Sequence, residues 1–406
     1  MIEWSEQQES ARQAFRDFIQ AEIVPHLDDL EHGDMPPYEV LRKLIGTFGI
    51  DEMARDRFHR QLERGDSGGP SRGYGGEAAA EAAALQTLLV IELCHYCPGM
   101  VTAMGVSMGL TANAVMSRGT RSQKERWALP LLTMEKIGSW AITEPGSGSD
   151  AFGSMKSTAR RTDDGGYVLN GNKTFITNGP YADTIVFICR LAEDGVAPKD
   201  RKVLTFVLDS GMPGLEQSRP FRKMGIHSSP TGELFLRDVE VGPERLLGET
   251  EEQPSRQGAK DTFSAERSGV AAMALGIVEQ CLALSLQYAR ERVQFGRPIG
   301  EFQLVQQKLA KMEVARTNLQ NMVFRNLEML AAGRRPTLAE ASAMKLYAAG
   351  AAMEVALEAV QVHGGNGYMA EYRVEQLCRD AKILQIYGGT DEIQTSAIAR
   401  DLLSRA

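Results

Sequence analysis

The chain has 406 residues, 43% of them hydrophobic and 24% charged, enough to bury more than one core and to form two or three domains. A net charge of -8 supplies no basic excess for a long phosphate track, which argues against a nucleic-acid partner and leaves room for a small phosphate-bearing ligand. Five scattered cysteines, Cys94, Cys97, Cys189, Cys281 and Cys378, exclude a disulfide framework and fit a reducing cytoplasm.

The opening residues, MIEWSEQQESARQAF, lack the basic start and apolar run of a signal peptide, and no stretch reads as long and apolar enough to cross a bilayer. A cytoplasmic protein with no membrane partner is expected. Apolar residues at helical spacing predict helices over Ala11 to Ile23, Tyr38 to Phe48, Ala78 to Cys94 and Gln123 to Leu132. Asp66 to Ala83, rich in Gly, Ser and then Ala, reads as a loop leading into a helix. Within the polar stretch Ile50 to Glu77, Arg55 precedes Arg57, Arg60 and Arg64, the last three spaced for one helical face. Cys94-His95-Tyr96-Cys97 has metal-ligand spacing, but zinc wants four ligands and no second Cys or His pair follows at a usable distance. These cysteines are read as packing near a helix end, with no metal expected.

From Gly138 to about Gly248 the pattern becomes β-rich: Trp140 to Ile142, Tyr167 to Leu169, Thr174 to Thr177, Thr184 to Cys189, Val203 to Leu208 and Glu233 to Val239. Turn signals at Asp163 to Gly166 and Asn178 to Pro180 separate them and predict a small antiparallel barrel or sandwich. Trp140 to Asp150, WAITEPGSGSD, reads as a strand followed by a turn whose free N–H groups and hydroxyls suit a polar ring edge or a phosphate. Taken alone it equally suits an ordinary surface turn.

After a polar linker, Glu249 to Lys260, the helical period returns over about Thr262 to Arg292, Gln303 to Ala332, Thr337 to His363, Glu371 to Gln385 and Asp391 to Leu403. Such long helices with short loops predict an antiparallel bundle. The fold class expected is α+β in three domains: a helical domain over 1–137, a β domain over 138–248 and a helical bundle over 249–406.

ITEPGSGSD occurs with NGNKTFITNG, Asn170 to Gly179, and with IYGGTDEIQ, Ile386 to Gln394. Together they resemble the acyl-CoA dehydrogenases, and the likeness extends over nearly the whole chain, including the domain order. The resemblance implies FAD as cofactor. It places Trp140, Ile142, Thr143, Gly148 and Ser149 along the FAD, with Thr143 on the isoalloxazine and Ser149 touching both cofactor and acyl-CoA. Phe175, Ile176 and Thr177 match the trio that packs on the flavin, usually with Trp first. Phe keeps the apolar face and loses only an N–H, so flavin binding should survive.

In ERVQFGRPIGEFQ, Glu291 to Gln303, the resemblance implies that Arg292 meets the FAD diphosphate of a neighbouring subunit, for which a guanidinium fork is well shaped, with Phe295 and Gln303 nearby. In QVHGGNGY, Gln361 to Tyr368, it implies that Gln361, Val362, Gly364 and Gly365 meet the adenine end. Thr390 and Glu392 would meet the flavin. Sites shared in this way imply a homotetramer, and electron transfer flavoprotein is the implied acceptor.

Many members of that family carry Glu after the Tyr of the last motif, as the base that removes the C2 proton of the thioester; here the position is Gly388. The chemistry needs that base while a hydride leaves C3 for flavin N5, and it needs a polarised carbonyl. Asp391 and Glu392 stand at a helix start, where carboxylates meet the dipole. Glu266 instead heads an apolar stripe of Val270, Met273, Ile277 and Cys281, where an acid is costly unless paired or used. A first-turn acid that stays wet is its ordinary alternative.

SAER, Ser264 to Arg267, aligns with the segment from which isovaleryl-CoA and long-chain acyl-CoA dehydrogenases project their base, and those enzymes carry a small residue at the position of Gly388. Ser149, Ser264, Arg267, Tyr387, Gly388 and Gly389 are the implied substrate contacts. The expected function is FAD-dependent α,β-dehydrogenation of an acyl thioester, with acyl-CoA as the expected substrate and a branched or bulky acyl group near C3. The alternatives are an acyl group tethered to a carrier protein, a flavin monooxygenase or oxidase that needs no C2 base, and a catalytically silent flavin-binding protein.

Overall fold

Ser5 and Gln8 open the first helix with a capping box, each side chain accepting the other's backbone N–H. In the computed structural model, which describes residues 3–66, 76–252 and 256–405, the N-terminal region is helical. Its elements are α1 (Glu6–Phe18, continued by a π turn at Ile19–Ile23), α2 (Leu27–Glu31), α3 (Tyr38–Thr47), α4 (Ile50–Asp66) and α5 (Glu77–Cys94). They are followed by α6 (Pro98–Met104), α7 (Ala112–Arg118), α8 (Arg121–Gln123) and α9 (Leu129–Leu132). The sequence pattern gave no sign of α6 and α7. A π segment at Gly105–Thr111 joins them and breaks the 3.6-residue phase on which that pattern depends.

The arginine-rich stretch is helical. Phe58 and Leu62 of α4 bury against Trp127, Val186 and Val207, while Arg55 pairs with Glu135. The Arg64 side chain lies outside the described residues, as does the 67–75 part of the expected Asp66 to Ala83 loop. Two helical stretches, Pro98–Arg118 and Glu266–Glu291, are long and apolar enough to cross a bilayer, which corrects the sequence reading. Most of each is buried inside the protein, so their apolarity is that of core helices.

Seven strands form one sheet: β1 (Gly138–Ala141), β2 (Thr158–Arg161), β3 (Tyr167–Thr177), β4 (Thr184–Leu191), β5 (Val203–Asp209), β6 (Leu215–Gln217) and β7 (Thr231–Val241). The sheet is mixed where antiparallel pairing was expected. β1 and β2 both run parallel to β4, β1 along Thr184 to Phe187 and β2 along Arg190 to Leu191, each joined to it by a connection long enough for a crossover. β3 is one strand of 11 residues in place of two expected runs, because register shifts against β7 at Leu169/Gly171 and Lys173/Ile176 interrupt its alternation.

The bundle comprises α10 (Arg256–Glu291), a small hairpin of β8 (Val293–Gln294) and β9 (Arg297–Pro298), α11 (Gln303–Ala331), α12 (Leu338–His363), α13 (Val374–Ile383) and α14 (Asp391–Ser404). One apolar cluster joins it to the N-terminal helices. Gly276 permits this: a Cβ there would stand 2.4 Å from Ile91 O and 2.7 Å from Cys94 Cβ, so α10 presses directly on α5. Cys94 and Cys97 are fully buried in the same core, where burial raises both thiols. His95 turns aside to Glu92 and Glu279, and the ligand atoms of these three lie within 4.8 Å of one another. Arg12 holds both carboxylates and Arg16 holds Glu92, so the cluster is an ion network that ties α1 and α5 to α10.

A buried acid closes the junction of the three regions. Asp380 on α13 accepts the Ile226 N–H from the β domain and the Gln376 amide at 3.2 Å. Burial and the charge of Glu31 on α2 push its carboxyl up to about 7, with Arg379 and those hydrogen bonds opposing. A folded-state value above the unfolded one contributes stability that is full below the unfolded pKa and fades as pH rises through about 7. We therefore expect the melting temperature to fall between about pH 4 and about pH 7, from the unfolded to the folded value, and to fall less in Asp380→Asn. An equal decline in that variant would assign the effect to other groups.

Candidate active site

α10 starts at Arg256, so Glu266 lies ten residues inside it (266 minus 256), well past the turn on which a helix dipole acts. Val270, Met273, Ile277 and Cys281 are all buried, continuing the stripe from Glu266 into the core. Burial raises the Glu266 carboxyl, and Arg267 and Lys345 counter only part of that rise. A dipole partner would stay wet and gain no such rise.

Gly388 faces this acid. It takes φ +62°, and a Cβ built on it would stand 3.6 Å from Glu266 Oε1 and 3.7 Å from Cδ. Residues 122 apart (388 minus 266) therefore meet, and a longer side chain at 388 would run over the carboxylate. Gln394 locks the turn by donating its Nε2 to the carbonyls of Gly388 at 3.0 Å and Gly389 at 2.8 Å. Tyr387 aims its hydroxyl at Thr102 Oγ1 and Met273 Sδ, 3.4 Å from each. Arg267 Nη1 donates to Ser342 Oγ at 2.8 Å, while its buried Nε has no partner among the described residues. Ser264 is buried and donates to Pro336 O at 2.8 Å.

The two β-domain motifs lie side by side. Thr174 N–H donates to Thr143 O at 2.9 Å, and Lys173 Nζ reaches Ile142 O at 3.0 Å and Glu144 Oε1 at 2.8 Å. Glu144 also accepts the backbone N–H groups of Lys156 at 2.6 Å and Ser157 at 3.0 Å, fixing the loop between β1 and β2. Around this anchor Trp140, Ile142, Thr143 and Thr177 are half-buried, and Gly148 and Ser149 are exposed. A Cβ at Gly148 would meet nothing within 4 Å. Phe175 takes φ +56° and is 70% exposed, its ring 6.1 Å from that of Phe221. Ile176 points into the sheet core, leaving its backbone for any outside contact. An open glycine turn beside an uncovered aromatic ring fits one end of a flavin, with polar groups for the ring edge and an apolar face to cover it.

The bundle motifs also meet. Tyr288 stacks on His363 at 4.3 Å and accepts the Asn366 amide at 3.0 Å, which brings the last turn of α10 to the end of α12. Arg292, Gln303 and Gln361 are exposed, Val362 is buried, and Gly364 takes the positive φ that ends α12. At Gly365, which follows it, an added Cβ would meet nothing within 4 Å. Phe295 is 94% exposed at the hairpin tip. Thr390 caps α14 by accepting the Ile393 N–H, and Glu392 is exposed at that helix start.

The sequence reading missed Lys345, Gln394, Thr102 and the Lys173–Glu144 pair. Lys345 left a usable sign, a lone cation in the apolar run ASAMKLYAAGA. Lys173 and Glu144 both lay inside quoted motifs, but nothing in the sequence pairs them.

Sequence profiles of the acyl-CoA dehydrogenases match in three stretches: the N-terminal domain over residues 5–135, the middle domain over 139–239 and the C-terminal domain over 257–403. The chain is 36% identical to a short-chain-specific acyl-CoA dehydrogenase of Megasphaera elsdenii, over 95% of each protein. It is 33% identical to the mitochondrial isovaleryl-CoA dehydrogenase of Oryza sativa subsp. japonica, over 97% of this chain and 91% of that protein. The solved structure of the prolyl acyl carrier protein oxidase AnaB superposes with a TM-score of 0.82 at 29% identity, covering 98% of this chain and 100% of that one.

Proposed function

The chain belongs to the acyl-CoA dehydrogenase family, flavin-dependent oxidoreductases acting on acyl-CoA, and on that premise we propose that Glu266 is the base that starts its reaction. The observation that carries this reading is the half-buried Glu266 carboxyl, raised by desolvation and facing Gly388. Glu266 takes the proton from C2 of the bound thioester, the C3 hydride leaves, and the product is the trans-2-enoyl thioester. FAD, when bound, supplies the acceptor for that hydride. Glu266 is half-buried, and substrate filling the space beside it would exclude water and direct its basicity at the carbon acid. Gln394 holds the Gly388 and Gly389 peptides still, and Arg267 supplies a nearby positive charge to the base and substrate.

In this reading Thr143, Gly148, Ser149, Phe175 and Thr177 hold the flavin end of the cofactor. Residues 138–248 serve as the cofactor and substrate domain between the helical regions 1–137 and 249–406. Arg292, Phe295, Gln303, Gln361, Gly364 and Gly365 complete the site of a neighbouring subunit in a homotetramer, which accounts for the exposure of Phe295. Electron transfer flavoprotein is the proposed acceptor. Gly388 leaves room for a branched or bulky acyl group near C3.

A carrier-tethered acyl group is the second reading, and the likeness to AnaB favours it. Against it, the arginines of α4 are interleaved with Asp51, Glu52, Asp56 and Glu63, a mixed face that offers little to an acidic carrier. Anaerobic bleaching of the flavin decides between them. CoA thioesters are expected to bleach it, branched ones faster than straight ones, and carrier-loaded ones not. Bleaching by carrier-loaded thioesters alone transfers the proposal to the second reading, and equal rates for branched and straight chains remove the branched-substrate reading.

A further inference from the structure

Lys345 is charged and has no access to solvent on α12. Burying an ammonium is costly, and one persists where a partner compensates it or a function uses it. Its Nζ lies 3.2 Å from Asp391 Oδ1 at the start of α14. The other oxygen of Asp391 accepts the Gln385 amide at 3.1 Å, and the Asp391 N–H reaches Gln385 O at 3.1 Å. These bonds fasten both ends of the turn that carries Gly388. On its other side α12 meets α10, where Arg267 binds Ser342, three residues before Lys345 and on the same helical face.

The charged and titratable groups that act on Glu266 are Arg267 on its own helix, Lys345 on α12 and Tyr387 in the turn, while Asp391 and Glu392 on α14 act on Lys345. Burial opposes the charge of Lys345, and Asp391 restores part of it. Resting on the assignment of Glu266 as base, we propose that Lys345 is a positioning residue for proton abstraction. Its buried charge, trimmed by Asp391, keeps Glu266 ionised in an apolar pocket and holds the Gly388 turn against it.

The charge relation gives opposite signs for two substitutions, which a merely structural role does not. The test is anaerobic flavin bleaching of the FAD-loaded enzyme by one saturating acyl-CoA across pH. It is paired with infrared titration of the Glu266 carboxyl without substrate, the band being assigned by its loss in Glu266→Gln. Lys345→Met is expected to move the rising limb of the rate to higher pH by about one unit, which makes bleaching near neutrality roughly tenfold slower and recoverable in alkali. Asp391→Asn is expected to move the limb to lower pH, and Lys345→Arg to keep it in place. The infrared midpoints should shift in the same directions.

If Lys345→Met does not fold, Asp391→Asn and Lys345→Arg still carry the test. An unshifted limb and midpoint in Lys345→Met, or in Asp391→Asn where Lys345→Met does not fold, overturns the role of Lys345. A Glu266→Gln enzyme that bleaches at the native rate overturns the base assignment instead, so the two failures are distinguishable.

Discussion

Glu266→Gln is expected to keep its FAD and its affinity for acyl-CoA, and to lose flavin bleaching by a factor of about 10^2 to 10^4. Gln fills the same space and keeps a carbonyl oxygen beside Gly388, so the pocket need not rearrange. What disappears is the ability to hold a proton taken from carbon. The variant should also melt no lower than the native protein near neutral pH. Burial raises the native carboxyl, so its contribution to stability is full below the unfolded pKa and fades as pH rises through the folded one. A neutral amide escapes that fading. Loss of bleaching with an unchanged flavin spectrum and an unchanged or higher melting temperature therefore separates a missing base from a damaged fold. Full bleaching by the variant returns the search for the base to Asp391 and Glu392, both on the far side of the turn.

The position of Glu266 was legible because two signals agreed: a carboxylate at the head of an apolar helical stripe, and a glycine where a carboxylate was due. That they touch was not legible, since no local pattern reports a contact between residues 122 apart (388 minus 266). The helical regions were readable wherever one face was apolar at a constant period, as in α3 and α11. They were unreadable at Pro98–Arg118, where a π segment shifts the phase in mid-helix. β2 and β6 were invisible because runs of four and three residues carrying Arg, Glu and Gln do not alternate long enough to register. Parallel pairing of β1 and β2 with β4 is set by tertiary packing, on which strand composition is silent.

Lys173→Met is expected to cost the β domain about 3–5 kcal/mol, the range for breaking a buried ion pair from one side. The Lys173 ammonium is fully buried, bonded to Glu144 and Ile142 O and placed 5.3 Å over the ring of Phe187. Burial disfavours charge on both partners, yet Lys173, Ser157 and the Lys156 N–H together hold Glu144 below the usual carboxylate range. Removing Lys173 leaves Glu144 charged and buried with backbone N–H donors alone, and leaves Ile142 O without its ammonium.

The loop that loosens is the one bearing Thr143, Gly148 and Ser149, so the variant should purify with substoichiometric FAD as well as a lowered melting temperature. Glu144 has a depressed folded-state value, so its contribution is present above the unfolded pKa and is lost as pH falls through the folded one. The gap in melting temperature between native and variant should therefore narrow in acid, as the native pair loses its charge. Pairing Lys173→Met with Glu144→Gln removes the stranded charge and should recover part of the stability, although Lys156 and Ser157 donate to different oxygens of Glu144 and the single amide oxygen can accept only one of them. Native FAD content and melting temperature in Lys173→Met alone would show that the loop is held by its backbone bonds and not by the ion pair.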